Sequence, residues 1–147
     1  DELWDRDIAV NLTGAYNVTK AIWPSLVEKQ WGRVINMASV AGTMGGFGQA
    51  SYASTKAALI GFTRTLALEG ARFNITANAI VPGIIGTEGF AKIPDKLKER
   101  MRARVAMRKE GEPRDIATLV VFLASPEAKY ITGAAIPVTG GLHLFTF

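Results

Sequence analysis

The chain has 147 residues, of which 48% are hydrophobic and 20% charged, with a formal net charge of +4, one histidine and no cysteine. This is the composition of one globular domain or part of one; it excludes a disordered or fibrous chain, a disulfide framework and a thiolate metal site, so redox work would need a cofactor. Apolar runs fall well short of the roughly 20 residues that span a bilayer, and the acidic opening, Asp1 to Asp7, has no signal-peptide character; the expectation is a cytoplasmic protein with no membrane segment and no metal site.

In chain order, Leu3, Ile8, Val10, Leu12, Ala15, Val18, Ile22 and Leu26 recur near helical spacing and predict one amphipathic helix over residues 2–29, closed by the Gly32 region. Arg33 to Met37 reads as a short strand. The glycine-rich stretch Gly42 to Gly48 reads as a loop, because glycine costs a helix or strand about 1 kcal/mol per residue. A second helix is expected from about Ala50 to Arg72, then a strand from Ile75 to Val81 stopped by Pro82-Gly83. A flexible stretch, a basic helix around Lys96 to Arg108, a helix from Pro113 to Ala124 and a last strand, Ala135 to Val138, follow.

Helices alternating with short, continuously apolar strands predict an α/β fold with a doubly wound parallel sheet, since strands buried on both faces show no polar alternation. Pro137 lacks an amide donor, which places the last strand at an edge. Only three strands are visible and the chain opens in a helix, so the expectation is that further strands lie upstream.

Tyr52 and Lys56 lie four apart on one predicted helix, so their side chains share a face. An ammonium beside a phenol favours the phenolate, which makes the hydroxyl usable as proton donor and acceptor near neutral pH. Alone, the pair also fits a solvated helix face. Ser39 stands just past the strand that ends at Met37, where parallel sheets place their ligands, and a hydroxyl there can hold a carbonyl oxygen as charge develops on it. Alone, it also fits a residue that merely ends a strand.

Asn11 in Val10-Asn11-Leu12, Ser39, Tyr52-Ala53-Ser54-Thr55-Lys56 and Pro82-Gly83 together resemble, in order and spacing, the short-chain dehydrogenase/reductase family. Within it the chain is most similar to 3-oxoacyl-acyl-carrier-protein reductases, through Ala38 to Gly45, Gly48 to Tyr52, Gly61-Phe62-Thr63-Arg64 and Tyr130-Ile131-Thr132-Gly133. The resemblance implies a Rossmann-like fold and an oxidoreductase that reduces a ketone to a secondary alcohol, or the reverse, with NADP or NAD, in fatty acid synthesis. It implies Tyr52 as general acid and base, Ser39 as the group polarising the carbonyl and Lys56 as partner of the nicotinamide ribose and of Tyr52. Asn11 would interrupt its helix locally and hold a water of the proton path. Pro82, Gly83, Ile85 and Thr87 would cover the nicotinamide, the Ile85 backbone meeting its carboxamide; Gly86 departs from the polar residue frequent in the family.

The resemblance also implies a substrate lid in the basic stretch Lys92, Lys96, Lys98, Arg100, Arg102, Arg104, Arg108 and Lys109. Its interleaved Glu99 and Glu110, with no aromatic platform, speak against a nucleic-acid partner. A homotetramer is implied, built from the two long helices and from the tail carrying Leu142, Leu144, Phe145 and Phe147. Lys29 and Arg72, beside Gln30 and Phe73, stand where the reductases dock an acidic carrier. His143 reads as a surface or interface residue, and the four methionines as packing residues.

The family's Thr-Gly-x-x-x-Gly-x-Gly turn and Asn-Asn-Ala-Gly strand do not occur in these residues, nor does the residue that selects NAD or NADP. The expectation is therefore the C-terminal catalytic part of one dehydrogenase domain. The competing expectation is a cofactor-less subunit acting as a structural or regulatory partner of full-length subunits.

Overall fold

The computed structural model describes residues 2–144; Phe145 and Phe147 of the expected apolar tail lie outside it. Among the described residues no helix is long and apolar enough to cross a membrane. Residues 2–29 are helical as expected, but not as one α-helix. Helix α1 (Glu2–Asp7) passes into a π-helical turn, Ile8–Thr13, and then α2 (Gly14–Lys29). The Gly14 N–H reaches back five residues to the Ala9 carbonyl, the wider ring that defines such a turn. Closure falls on Gln30, left-handed at φ 51°, and not on Gly32, which opens β1 (Gly32–Met37).

The sheet has β1, β2 (Ile75–Pro82) and β3 (Ala135–Val138) in that spatial order, all parallel. Side chains alternate along β2 as a pleated strand requires. Ile75 and Ala77 pack with Val34 under α4 (Ala50–Gly70), where Leu66 and Ala67 meet them, and Trp23, Leu26 and Val27 of α2 close that side. Ile80 faces the other way, against Leu123 of α7 (Pro113–Ala124) and Ala128, with Ile116 and Leu119 beside them. Helices therefore cover both faces, which is why the strands carry no polar alternation. Pro137 pairs opposite Val81 on the outer strand, so its missing donor costs the ladder nothing.

Three polar side chains tie the layers together inside this core. Asn36 donates from Nδ2 to Thr63 Oγ1 of α4 at 2.9 Å, and Thr63 donates to the Leu59 carbonyl at 2.7 Å. Asn78 donates to the Ile131 carbonyl at 2.8 Å while its Oδ1 accepts from the Ala134 N–H at 3.1 Å, so one buried amide sets the loop that enters β3. Such groups are stable in the interior only because each has a partner.

Three further departures from the sequence expectation have local causes. Ala41–Met44 forms a short helix, α3, within the stretch read as a loop. Glu88–Ala91 forms α5 where a flexible stretch was expected, capped by the Thr87 hydroxyl oxygen, which accepts from the Phe90 N–H at 3.3 Å. The basic helix α6 (Asp95–Arg104) stops short of Arg108, because Val105 turns to an extended conformation and is buried at 2% exposure. Helix α7 has the expected bounds: Pro113 takes its first position and the Asp115 carboxylate accepts from the Glu112 N–H at 2.8 Å.

Thr63→Val keeps the shape of the side chain but leaves the Asn36 amide buried without its acceptor. The expected loss is about 1–3 kcal/mol in unfolding free energy, read as a lower urea midpoint at unchanged slope.

Candidate active site

The ladder between strands continues beyond their ends and brings three loops to one edge of the sheet. The Ala38 N–H donates to the Ile80 carbonyl and the Val40 N–H to the Pro82 carbonyl, both at 2.9 Å; the Gly83 N–H donates to the Val138 carbonyl at 2.9 Å. Ser39, Pro82-Gly83 and Thr139 thus share the C-terminal edge of the parallel sheet, where such folds bind ligands. Gly83 fits because a Cβ there would come within 2.8 Å of Thr139 Cα.

A cleft of about 580 Å³ opens at this edge, lined by Ser39, Tyr52 and Gly83 together with Met44, Met101 and Arg104. The Ser39 Oγ accepts from the Ala41 N–H at 3.2 Å, which orients the side chain and leaves its own hydroxyl hydrogen for a ligand. Tyr52 enters from the first turn of α4. One turn further, the Lys56 ammonium lies 5.5 Å from the centre of the Tyr52 ring and donates to the Met37 carbonyl at 2.8 Å. The spacing that suggested this pair does bring the two side chains together, with the end of β1 as the third member. Burial holds the Lys56 ammonium below the ordinary lysine range.

Helix α3 fixes how Ser39 stands to Tyr52. A Cβ on Gly42 would lie 2.6 Å from the Lys56 carbonyl carbon and 2.7 Å from the Ala57 nitrogen, so only glycine lets the backbone after Ser39 rest on α4 at this depth. Asp7 acts from the other side: its carboxylate accepts from Ser51 Oγ at 2.6 Å, fastening the start of the π-turn to the residue before Tyr52. Nothing in the sequence pattern pointed to Asp7, since a contact 44 positions apart has no local signature.

Of the remaining predicted residues, Asn11 sits in the π-turn, which packs against α4, and does not line the cleft. Ile85 is paired with Gly111 in an isolated parallel bridge; Gly111 donates to the Ile84 carbonyl at 2.9 Å and accepts from the Gly86 N–H at 2.8 Å. That pattern turns the Ile85 N–H away from Gly111, with no backbone partner among the described residues. Ile85 borders a neighbouring recess of about 280 Å³, and Thr87 a third of about 290 Å³, so the segment runs along the sheet edge beside the Ser39–Tyr52 cleft.

Three of the eight basic residues of the expected lid are engaged within the chain. Lys98 pairs with Asp95 at 3.2 Å, Arg108 donates to the Ala103 carbonyl, and Arg102 grips Glu110 through two hydrogen bonds of 2.5 and 2.7 Å. Those hydrogen bonds from Arg102 hold the Glu110 carboxyl down to about 2. His143 is exposed and its Nδ1 is hydrogen-bonded to Thr139 Oγ1 at 2.6 Å, which closes the turn after β3. Arg72 stacks on Phe73 at 4.6 Å, and Lys29 is exposed at the end of α2. Among the described residues no group of three or more His, Asp or Glu side chains converges as a metal site would require.

The parallel sheet, Rossmann-like in fold, thus carries a serine beside a Tyr-x-x-x-Lys pair at its C-terminal edge. The family described as enoyl-(acyl carrier protein) reductase matches residues 1–143, and the chain belongs to the short-chain dehydrogenases/reductases. It is 47% identical over 139 residues to an acetoacetyl-CoA reductase of Shinella zoogloeoides, covering 94% of this chain and 58% of that one. It is 44% identical over 145 residues to a (3R)-3-hydroxyacyl-CoA dehydrogenase of Rattus norvegicus, covering 98% and 56%. A crystal structure of a 3-oxoacyl-[acyl-carrier protein] reductase from Brucella melitensis superposes with a TM-score of 0.94 at 34% identity over 99% of this chain and 55% of that one. Another from the same organism, with bound NAD, gives 0.89 at 35% identity over 98% and 53%. The chain thus spans little more than half the length of these relatives.

Two measurements check the geometry of the site. Gly42→Ala is expected to lose about 1–3 kcal/mol of stability, the cost of overpacking against a backbone that cannot yield, read by denaturant titration. The Lys56 side chain is expected to deprotonate below the ordinary 10.5 in a side-chain NMR titration. Because its folded value is depressed, the unfolded chain binds the proton more tightly, so this group makes stability rise with pH up to about 10.5; Lys56→Met removes that slope.

Proposed function

We propose that this chain carries the carbonyl-reducing centre of an NAD(P)-dependent oxidoreductase that interconverts a 3-oxoacyl thioester and the corresponding 3-hydroxyacyl thioester. The observation that carries the reading is Ser39 and Tyr52 lining one cleft while the Lys56 ammonium stands behind the Tyr52 ring. Relatives named for acetoacetyl-CoA and 3-oxoacyl-carrier reduction support the thioester class.

In this reading the Ser39 hydroxyl donates to the substrate carbonyl oxygen and stabilises charge as it accumulates there. Tyr52 donates its phenolic proton to that oxygen. The Lys56 charge stabilises the phenolate left behind and, held by Met37, stays in register with it. Asn11 would hold a water that returns the proton from solvent through Lys56, from a π-turn already widened on the flank of α4. The donor set fits a nicotinamide: the outward Ile85 N–H suits a carboxamide oxygen, the partly desolvated Lys56 suits ribose hydroxyls, and Pro82-Gly83 and Thr87 border the same edge. The nicotinamide dinucleotide, NADP or NAD, supplies the hydride when bound.

Assembly follows from what the single chain leaves uncovered. Val10, Val18 and Ile22 on the first long helix and Leu68 on α4 are exposed at 68, 64, 45 and 82%, a stripe that water disfavours. A homo-oligomer that pairs these helices between copies, a homotetramer by resemblance, removes it from solvent.

NADPH and NADH oxidation with acetoacetyl thioesters, followed at the nicotinamide absorbance, tests the function. Tyr52→Phe is expected to lower kcat by about a hundredfold or more, the scale of general-acid catalysis, without changing stability. Turnover unaffected by that substitution would overturn the assignment.

A further inference from the structure

Of the side chains lining the Ser39–Tyr52 cleft, Arg104 alone is charged. Elsewhere on α6 and its exit, Lys98 is bonded to Asp95 and the Ala91 carbonyl, Arg102 to Glu110 and Arg108 to the Ala103 carbonyl, while Lys96, Arg100 and Lys109 do not line this cleft. Arg104 makes no ion pair and no side-chain hydrogen bond among the described residues. Its position is nevertheless held. It immediately precedes Val105, which is 2% exposed and packs on Gly140, and Met107 donates its N–H to the Gly140 carbonyl at 3.0 Å. The guanidinium therefore hangs beside a point at which the end of α6 is fastened to the sheet edge. Around it the cleft is apolar: Met44, Phe47, Met101 and Leu142 line it, and Phe47 is fully exposed.

A cleft with hydrogen-bonding hydroxyls on one wall, apolar side chains along it and one free guanidinium suits a molecule with a reactive carbonyl, a short apolar chain and an anionic end. Guanidinium is the side chain best matched to such an end, since its planar fork donates two parallel hydrogen bonds to a carboxylate or phosphate. We propose that Arg104 is a specificity-determining residue that binds an anionic oxygen group, phosphate or carboxylate, carried by the substrate beyond its reacting carbonyl. This rests on the reading of the cleft as a carbonyl-reducing site and deepens it: the substrates are anionic, and Arg104 sorts them from neutral ketones of the same reacting end.

The test compares the native protein with Arg104→Gln and Arg104→Lys on three acetoacetyl substrates: acetoacetyl-CoA with its phosphates, free acetoacetate with its carboxylate, and the uncharged N-acetylcysteamine thioester. Arg104→Gln is expected to raise KM for at least one anionic substrate about tenfold or more, the scale of a hydrogen bond to a charged partner, with kcat unchanged. The neutral thioester is expected to stay within about twofold, and Arg104→Lys to recover part of the loss. Which anionic substrate responds identifies the phosphate or the carboxylate as the group bound. Calorimetric titration with coenzyme A and with acetoacetate, on native protein and on Tyr52→Phe, reads the anion site without turnover. Arg104→Gln is expected to bind the responding anion about tenfold more weakly, and the same tenfold loss is expected when it is introduced into Tyr52→Phe, so failure of the catalytic reading is distinguishable from failure of this one. Equal losses on neutral and anionic substrates, or Arg104→Gln binding both anions as tightly as native protein, overturn the proposal.

Discussion

Strand β2 is hydrogen-bonded along both edges and covered on both faces, and the placement of the site follows from that double constraint. Residues Ile75 to Val81 are all buried, with Ala77, Ala79 and Ile80 at 0% exposure. A strand so enclosed cannot shift register without moving apolar side chains to the wrong layer, because its side chains alternate with a period of two. Its two ladders then decide where β1 and β3 stop. Each ladder runs past its strand into the loop beyond, through Val40 to Pro82 and Gly83 to Val138, so Ser39, Gly83 and Thr139 are positioned by main-chain hydrogen bonds and not by flexible side chains.

Helix α4 joins this frame to the chemistry. Its buried side meets β1 and β2 through Leu66, Ala67 and the Asn36–Thr63 hydrogen bond, and its first turns carry Tyr52 and Lys56 to the level of Ser39. Three contacts then set the angle of those first turns: Gly42 resting on the Lys56 backbone, Lys56 bonded to the Met37 carbonyl, and Asp7 bonded to Ser51. Each comes from a different segment, and together they hold a phenol, a hydroxyl and an ammonium near one another without using the polar atoms that face the cleft. Preorganisation of this kind is what lets charge be stabilised as it develops.

The basic segment around α6 is arranged differently. Lys98, Arg102 and Arg108 are held internally, by Asp95, by Glu110 and by backbone carbonyls, whereas Lys92, Lys96, Arg100, Arg104 and Lys109 make no ion pair or side-chain hydrogen bond among the described residues. Among the cations of the segment without a partner in the described residues, Arg104 is the one that lines the cleft. Net charge alone therefore does not tell which side chains are free, whereas the pairing of individual side chains does.

The sequence by itself determined the long helical segments and α7, the three short apolar strands, the covered parallel sheet and the edge position of Pro137, because these depend on periodicity and on one missing amide, both local properties. It also determined the Tyr52–Lys56 contact, since four residues on a helix bring two side chains to one face. The π-turn at Ile8–Thr13 was read only through the resemblance that singled out Asn11, as helical periodicity does not distinguish a widened turn from an ordinary one. The helix hidden in the glycine-rich stretch, the early end of α6 at Arg104, the Asp7–Ser51 and Lys56–Met37 hydrogen bonds and the choice of Arg104 as the cleft's one free cation were decided only by the tertiary structure. Each of these turns on which distant segment lies within a few ångströms: α4 beneath Gly42, Gly140 beneath Val105, Glu110 beside Arg102. Proximity between residues 8 to 44 positions apart, in different segments, leaves no periodic trace along the chain.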